Sequence, residues 1–193
     1  MKILKINSSI QTEKSVSRKL VNQLVSKLTN TEKNIIERDL ANGLPLLTQN
    51  MVDAFYTPQD NHTDDQKVQV ATSDLLIKEI EDSEIIIMGI PIYNFSVPAS
   101  VKAYFDLIAR VGITFKYTDK GPVGLFENKK VYVVITSGGT GFMSDADFAS
   151  AYIKHFLGFI GITDVNFISA DQLMMNREVQ IENAEKQIAE FIS

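Results

Sequence analysis

Hydroxyl side chains cluster directly before a run with helical spacing: they are Ser8, Ser9, Thr12, Ser15 and Ser17. A helix N-terminus offers unpaired N–H groups and a partial positive charge, so hydroxyls placed there can help to hold an anion. The glycine fingerprints G-x-G-x-x-G and G-x-x-x-x-G-K-[ST] do not occur in the chain. A Ser/Thr-lined phosphate loop without them suits a mononucleotide such as FMN. The alternative is that Ser15 only caps the helix and the other hydroxyls are solvated.

A second segment with possible binding chemistry lies between two prolines, Pro91 and Pro98, and reads IYNFSV. The prolines stiffen a backbone that must stay irregular between them. Such a loop can place main-chain N–H groups and an aromatic edge along a flat heteroaromatic ring. The alternative is a hydrophobic plug that covers the end of a sheet.

The third segment is glycine-rich and comprises Ser137, Gly138, Gly139, Thr140 and Gly141. Glycine tolerates positive φ and lets a ligand approach the backbone closely. Gly-rich turns are common, so this loop alone is weak evidence. All three segments follow apolar runs, and together they make a stronger case for a ligand site than any one of them.

Short β-rich runs supply the strands that would position these loops, at residues 2–7, 34–38, 84–90, 130–136 and 165–169. The third and fourth runs are almost wholly apolar, which is typical of parallel strands covered on both faces. Apolar helical stripes intervene: one starts at Val16, one follows Pro98 and stops at Gly112, one spans about 145–159, and one covers 181–192. This alternation predicts an α/β doubly wound parallel sheet of about five strands with helices on both faces. Ligands bind such sheets at the carboxyl ends of the strands, where our three segments lie.

Composition excludes several classes of function. The chain has 193 residues, a net charge of −5 and no cysteine. Nucleic acid is therefore not an expected partner, and disulfides and thiolate sites are excluded. The apolar run at the start is too short for a signal peptide and no stretch could span a bilayer, so we expect a cytoplasmic protein without membrane contact. His62 is expected in a solvated loop rather than a metal site, and His155 as a packed or interface residue.

Two further features lie outside the loops. The long connection 112–130 carries alternating Ile113, Phe115 and Tyr117, which predicts a short ribbon that places Tyr117 over a pocket. The helix at 148–160 is apolar on more than one face. It is therefore either a subunit interface or a fully buried central helix.

Several segments resemble the FMN-dependent NADH-azoreductases: Ser9 with Ser15-Val16-Ser17, PIYNF at 91–95, YFDLIARVGITFKYT at 104–118, GPVGL at 121–125 and FLGFIGITDV at 156–165. The likeness covers essentially the whole chain, and the 104–125 stretch separates this family from flavodoxins at large. It implies a flavodoxin-like fold in a single FMN-binding domain, 1–193, and a homodimer with FMN at each interface. It also implies reduction of quinones and azo compounds with a nicotinamide donor, NADH or NADPH.

The resemblance also implies roles for individual residues. It assigns the FMN phosphate to Ser9, Ser15, Val16 and Ser17, the isoalloxazine ring to Ile92, Tyr93, Asn94 and Phe95, and the pyrimidine edge to Ser137, Gly138, Gly139 and Thr140. Tyr117 and Phe159 match positions near the substrate, with Phe159 reaching across the dimer. The family pattern Ser-Arg-Gly-Gly is replaced here by Ser137-Gly138-Gly139-Thr140. A cation near the ring edge is thus lost, and the register of the loop is open by one residue.

These assignments predict two-electron chemistry at flavin N5 with ping-pong kinetics, and no side chain is expected to be an obligatory acid or base. Backbone N–H groups from the 92–95 and 137–140 loops would stabilise the reduced ring. The alternative function is a flavodoxin-like electron carrier without a substrate of its own. Such a carrier needs an exposed flavin edge, which the long 112–129 loop and the apolar helix disfavour.

Overall fold

The apolar runs of the sequence form a five-stranded parallel sheet in the computed structural model, which describes residues 1–29 and 31–192. The strands are β1 (Ile3–Asn7), β2 (Ile35–Asp39), β3 (Ile85–Pro91), β6 (Lys130–Thr136) and β7 (Asp164–Ala170), and β4 (Phe115–Thr118) and β5 (Gly121–Gly124) form a separate antiparallel ribbon. The helices are α1 (Val16–Leu28), α2 (Gln49–Tyr56), α3 (Asp64–Glu81), α4 (Ala99–Ile108), α5 (Phe148–Phe159) and α6 (Leu173–Ile192). Among the described helices, none has the length and apolar character to cross a membrane.

Both faces of the sheet are covered, as the apolar runs predict. On β6, Val131, Val133 and Ile135 belong to one apolar cluster, whereas Tyr132 and Val134 belong to the other. Side chains of α2, α3, α4 and α5 complete the first cluster, and those of α1 and α6 complete the second. Because the central strands β3 and β6 are buried on both faces, their sequences lack the polar alternation of a half-exposed strand. The doubly wound prediction is confirmed.

The order of strands in the sheet, β2-β1-β3-β6-β7, determines where a ligand can bind. The order reverses between β1 and β3, which leaves a crevice at their carboxyl ends. Because β1, β3 and β6 are neighbours, the loops that follow them meet at one edge of the sheet. The three segments that the sequence singled out are these loops.

Two predicted helix boundaries were wrong by a few residues. The helix predicted from about 145 begins at Phe148, because the Asp147 carboxylate accepts the N–H groups of Ala149 and Ser150 at 3.1 and 2.9 Å and so caps the first turn. The helix after Pro98 ends at Ile108 rather than Gly112. There the Thr114 hydroxyl donates to the carbonyl of Ile108 at 2.7 Å and satisfies the helix end.

The last helix begins at Leu173, eight residues before the apolar stripe that predicted it. Asn176 has non-helical dihedral angles, φ −142° and ψ 61°, and separates a short first turn from the rest of α6. The interruption breaks the spacing on which the prediction relied. The predicted 113–117 ribbon is confirmed as the hairpin of β4 and β5.

Candidate functional site

The hydroxyl-rich loop after β1 forms one wall of the site. Ser15 caps α1 by accepting the N–H of Arg18 at 3.3 Å, and its hydroxyl lies 3.1 Å from that of Ser17. Ser9 accepts the N–H of Gln11 at 3.3 Å. Ser9, Ser15 and Ser17 are all buried. The capping role is therefore present, but the alternative of a solvated loop is wrong for these hydroxyls.

Arg18, the third residue of α1, holds this loop in place. Its guanidinium donates to the carbonyls of Ser9 and Gln11 at 2.8 and 3.0 Å. It also forms a two-pronged ion pair with Asp39 at 2.7 and 2.8 Å. Hydrogen bonding from Arg18 holds the pKa of the Asp39 carboxyl below its usual range. The end of β2 thus fixes the shape of the loop after β1.

The loop after β3 turns sharply at Asn94 and Phe95. Tyr93 and Ser96 exchange backbone hydrogen bonds at 3.0 and 3.2 Å, and the two residues between them have φ of 49° and 71°. Positive φ at both central positions is typical of a type I′ turn, which favours Asn and Gly and is costly for Phe. Phe95 is 57% exposed, so the loop is not a plug over the sheet. Strain of this kind is often retained where a side chain serves a ligand.

The glycine loop after β6 is fixed from two sides. The Thr136 carbonyl accepts the N–H of Ile92 at 2.7 Å, which joins this loop to the one after β3. On the other side, the carbonyls of Ser137 and Gly138 accept the N–H groups of Leu173 and Met174 at 3.0 and 2.9 Å. A Cβ added at Gly139 would meet no described atom within 4 Å. The backbone at Gly139 therefore faces open space.

These loops enclose two adjoining clefts. The narrow cleft, about 230 Å³, lies beside the N-terminus of α1. The wide cleft, about 600 Å³, lies beside the turn after β3. Ile92 and Gly138 line both clefts. Of the twelve predicted cofactor residues, Ser17 lies behind Ser15 and the others line one or both clefts: Ser9, Ser15, Val16, Ile92, Tyr93, Asn94, Phe95, Ser137, Gly138, Gly139 and Thr140.

The residues present fit a phosphorylated flavin. Hydroxyls and the unpaired N–H groups of the first turn of α1 surround the narrow cleft, where a phosphate would be stabilised. The wide cleft has glycine backbone on one side and the turn with Asn94 and Phe95 on the other, which leaves room for a flat ring. Tyr93 ties the two regions together, because its hydroxyl accepts the N–H of Ile10 at 3.2 Å.

The two predicted substrate residues lie elsewhere. Tyr117 and Phe159 both contact Phe115, at centroid distances of 5.5 and 4.4 Å, and line neither cleft. Phe159 ends α5, whose first residue, Phe148, donates its N–H to the carbonyl of Phe95 at 3.1 Å. The twelve residues of α5 span about 18 Å at 1.5 Å per residue. These aromatic side chains therefore lie a helix length from the clefts of their own chain.

The prediction that His62 is solvated was wrong. His62 is only 8% exposed, and its Nε2 lies 3.0 Å from the carbonyls of Ala54 and Thr57. Among the described residues, no group of three potential metal ligands occurs.

His155, in α5, is exposed on the single chain. Lys154 and Gly158 of the same helix are exposed as well. The single chain therefore does not bury α5 completely.

Sequence reasoning missed two kinds of cleft residue. Gln11 and Lys14 lie within the loop after β1, whereas Gln172, Leu173, Met174 and Arg177 reach the clefts from outside the three loops, at the start of α6. The segment 172–177 follows β7, which pairs with β6. The position of this segment in the sequence could have identified it, because the loop after β7 also lies at this edge of the sheet.

A reversed parallel strand order with a hydroxyl-lined helix N-terminus beside a ring-sized cleft defines a flavodoxin-like mononucleotide-binding protein. The comparison of the sequence with family models agrees, because the model described as flavodoxin-like fold matches residues 1–192, and the chain belongs to this family.

Curated relatives of high similarity share one description, FMN-dependent NADH:quinone oxidoreductase. The relative from Hahella chejuensis is 49% identical over 190 residues, which cover 97% of this chain and 93% of the relative. The relative from Colwellia psychrerythraea is 45% identical over 189 residues, 97% and 98% of the two chains.

Solved structures of azoreductases share the fold. An azoreductase from Bacillus anthracis str. Sterne superposes with a TM-score of 0.85 and is 25% identical, covering 99% of this chain and 96% of its own. An FMN-dependent NADH-azoreductase from Bacillus anthracis str. Ames Ancestor, in complex with FMN, superposes with a TM-score of 0.84 at 22% identity, covering 100% of this chain and 98% of its own.

Proposed function

We propose that this chain is an FMN-dependent oxidoreductase that uses NADH to reduce quinones and aromatic azo compounds. The observation that carries the proposal is the junction of the two clefts at Ile92 and Gly138, beside the N-terminus of α1. The names of the relatives at 49% and 45% identity support the same activity. Bound FMN supplies the two-electron transfer, and the protein supplies binding, orientation and electrostatics.

Each loop has a separate task in this proposal. Ser9, Ser15 and the N–H groups of Val16 and Ser17 hold the phosphate, while Arg18 keeps the loop in shape. The turn at Asn94 and Phe95 orients one edge of the ring. The loop Ser137, Gly138, Gly139 and Thr140 would hold the pyrimidine edge of the ring, and its backbone N–H groups would supply donors to it.

The active form in this proposal is a homodimer in which Tyr117 and Phe159 serve the partner's site. The support is geometric: Phe159 lies at the end of α5 away from the clefts of its own chain, about 18 Å along the helix, and Tyr117 contacts the same Phe115 ring that Phe159 contacts. Tyr117 is 69% exposed, although it is a large aromatic residue on an ordered ribbon. The exposed side of α5 lies between this ribbon and the wide cleft, and a second copy that covers it would bring each ribbon to the other site.

A single domain over 1–193 and a cytoplasmic location complete the proposal. One sheet, with an apolar cluster on each face, organises the described helices. NADH is an intracellular donor, and a chain without cysteine gains nothing from an oxidising compartment. The donor in this proposal is NADH or NADPH, and the relatives' names favour NADH.

The test is to purify the protein, add FMN, record the visible spectrum, and then add NADH and a benzoquinone in turn. We expect a bound flavin spectrum that bleaches with NADH and returns with the quinone, with parallel double-reciprocal lines. Protein that fails to take up FMN would end the flavoenzyme proposal. Bound flavin that NADH cannot reduce would instead support the electron-carrier alternative.

Two variants test the placement of FMN. Ser17→Ala and Asn94→Ala should weaken FMN binding without unfolding the chain, because one removes a phosphate-end hydroxyl and the other alters the ring-edge turn. Ser26→Ala, at an exposed position of the same helix α1, is the matched control. Unchanged FMN affinity in both variants would show that the site is misplaced.

A further inference from the structure

The narrow cleft has a charge that contrasts with the rest of the protein. Its charged lining residues are Lys14 and Arg177, and no carboxylate lines it among the described residues. The chain as a whole carries 24 acidic and 19 basic residues. Two cations without an acidic neighbour on one small cleft therefore form a local positive field in an acidic protein, and such fields attract anions.

Neither cation is neutralised by the fold. Within residues 1–29 and 31–192, Lys14 and Arg177 form no ion pair, whereas the neighbouring Arg18 pairs with Asp39 at 2.7 Å. Lys19, one residue further along α1, lies 3.9 Å from Glu185. The cations next to the cleft are thus paired with carboxylates, while the two that line it keep their charge available.

The backbone directs these side chains to the cleft. Lys14 directly precedes Ser15, the capping residue of α1, so it stands beside the unpaired N–H groups of the first turn. Arg177 directly follows the non-helical Asn176. The turn before it is tied to the glycine loop, because Met174 donates its N–H to the Gly138 carbonyl at 2.9 Å. The two cations therefore approach one cleft from separate elements of the fold.

Buried hydroxyls in this cleft, and that of Ser17 directly behind it, also lack an acceptor. Ser9 is 4% exposed and accepts the N–H of Gln11, and its own O–H has no acceptor among the described residues. Ser15 and Ser17 share one hydrogen bond between two hydroxyls, which leaves one of their O–H groups without an acceptor there. A buried donor without an acceptor is costly, so this donor set favours an anionic ligand.

We propose that Lys14 and Arg177 clamp the terminal phosphate of FMN from two sides and make the site select FMN over riboflavin. This inference rests on the proposed function and adds to it. The hydroxyls and the helix N-terminus would bind any small acceptor group, whereas two full positive charges favour the phosphate dianion. Arg177 also ties the ligand to the start of α6, a segment that the three sequence motifs do not include.

The experiment measures dissociation constants for FMN and for riboflavin by quenching of flavin fluorescence. The variants are Lys14→Gln, Arg177→Gln and the double variant, with Lys27→Gln, near the other end of α1, as the control of equal charge change. We expect each single variant to weaken FMN binding about fivefold to tenfold, with riboflavin affinity changed by less than about twofold. FMN affinity should depend less on salt in each single variant than in wild type, and least in the double variant.

The outcomes separate this inference from the proposed function. Wild-type protein that binds neither flavin would overturn both. Wild-type protein that binds FMN, with affinity and salt dependence unchanged in the double variant, would overturn the clamp alone. An equal loss of FMN and riboflavin affinity would also overturn it, because the side chains would then act through shape. Thermal melts check folding, which the exposed positions of both residues should spare.

Discussion

The replacement Ser15→Asp tests the phosphate position most directly, because it separates the two roles of this residue. Ser15 caps α1 and lines the narrow cleft. Aspartate is as good a capping residue as serine, and its charge is favourable at a helix N-terminus. The variant should therefore fold as well as the wild type. Its carboxylate, however, would stand where the FMN phosphate is proposed to bind.

The size of the effect follows from Coulomb's law. Two unit charges about 4 Å apart repel by about 4 kcal/mol at the effective dielectric constant of a protein surface, about 20. The phosphate carries at least one negative charge, and about 1.4 kcal/mol corresponds to a tenfold change in affinity. The dissociation constant for FMN should rise by about a thousandfold. Ser15→Asn keeps the cap without the charge and should cost about tenfold or less.

The assay is a flavin titration of wild type, Ser15→Asp and Ser15→Asn, each with FMN and with riboflavin. Only FMN binding to Ser15→Asp should collapse, because riboflavin has no phosphate to repel. A melting temperature within a few degrees of wild type confirms that the cap is kept. If folded Ser15→Asp binds FMN within about threefold of wild type, the phosphate does not lie at the N-terminus of α1 and the reasoning is refuted.

Three further predictions test other parts of the site. First, Ser15→Asp and Tyr117→Ala should each be inactive as pure dimers. An equimolar mixture of the two variants should nevertheless regain about one quarter of wild-type quinone reduction. Half of the dimers are then mixed, and each mixed dimer holds one intact site out of two. No recovery after subunit exchange would refute a shared site. Second, Phe95→Gly should raise the free energy of unfolding by up to about 1 kcal/mol, because glycine tolerates the positive φ of 71° at this position. The same variant should lower kcat/KM for quinones. A variant that is less stable than wild type in chemical denaturation would contradict this. Third, the lowered pKa of Asp39 means that its ion pair with Arg18 stabilises the fold above the ordinary pKa of 3.8 and that this stability is lost as pH falls through the lower folded value. Asp39→Asn should therefore be less stable than wild type at pH 7, and the difference in unfolding free energy should shrink as pH falls below about 4. A constant difference between pH 7 and pH 2 would show that the pair does not act in this way.

The sheet could be predicted because its signal is local. The central strands β3 and β6 are apolar on both faces, and this pattern is visible in the sequence without knowledge of the neighbouring strands. The start of α6 could not be predicted from the same signal, because Asn176 interrupts the helical spacing. The prediction that His62 is solvated was wrong for a related reason. Its burial comes from carbonyls of Ala54 and Thr57 in and after α2, which no pattern around His62 indicates.

The site was predictable as far as topology alone determines it. Once the strands are recognised, the loops after β1, β3 and β6 are expected to lie together, because ligands bind at the carboxyl ends of the strands in parallel sheets of this kind. The contribution of 172–177 depends instead on particular contacts, such as the hydrogen bond from the Gln172 N–H to the Ser137 hydroxyl at 3.1 Å. Gln172 itself has a positive φ of 51°, a conformation that glutamine rarely adopts and that its sequence does not signal.

The distribution of aromatic side chains bears on the choice between an enzyme and an electron carrier. A carrier needs an exposed ring edge, and its chain would gain nothing from an ordered ribbon that presents a large aromatic side chain a helix length away. Here Tyr117 is ordered by its contact with Phe115, which in turn contacts Phe159. In the proposed dimer this aromatic group closes the partner's wide cleft and forms a surface on which flat acceptors can stack. The geometry therefore favours an enzyme with its own aromatic substrates, and loss of turnover in Tyr117→Ala with FMN binding retained is the distinction that a carrier would not show.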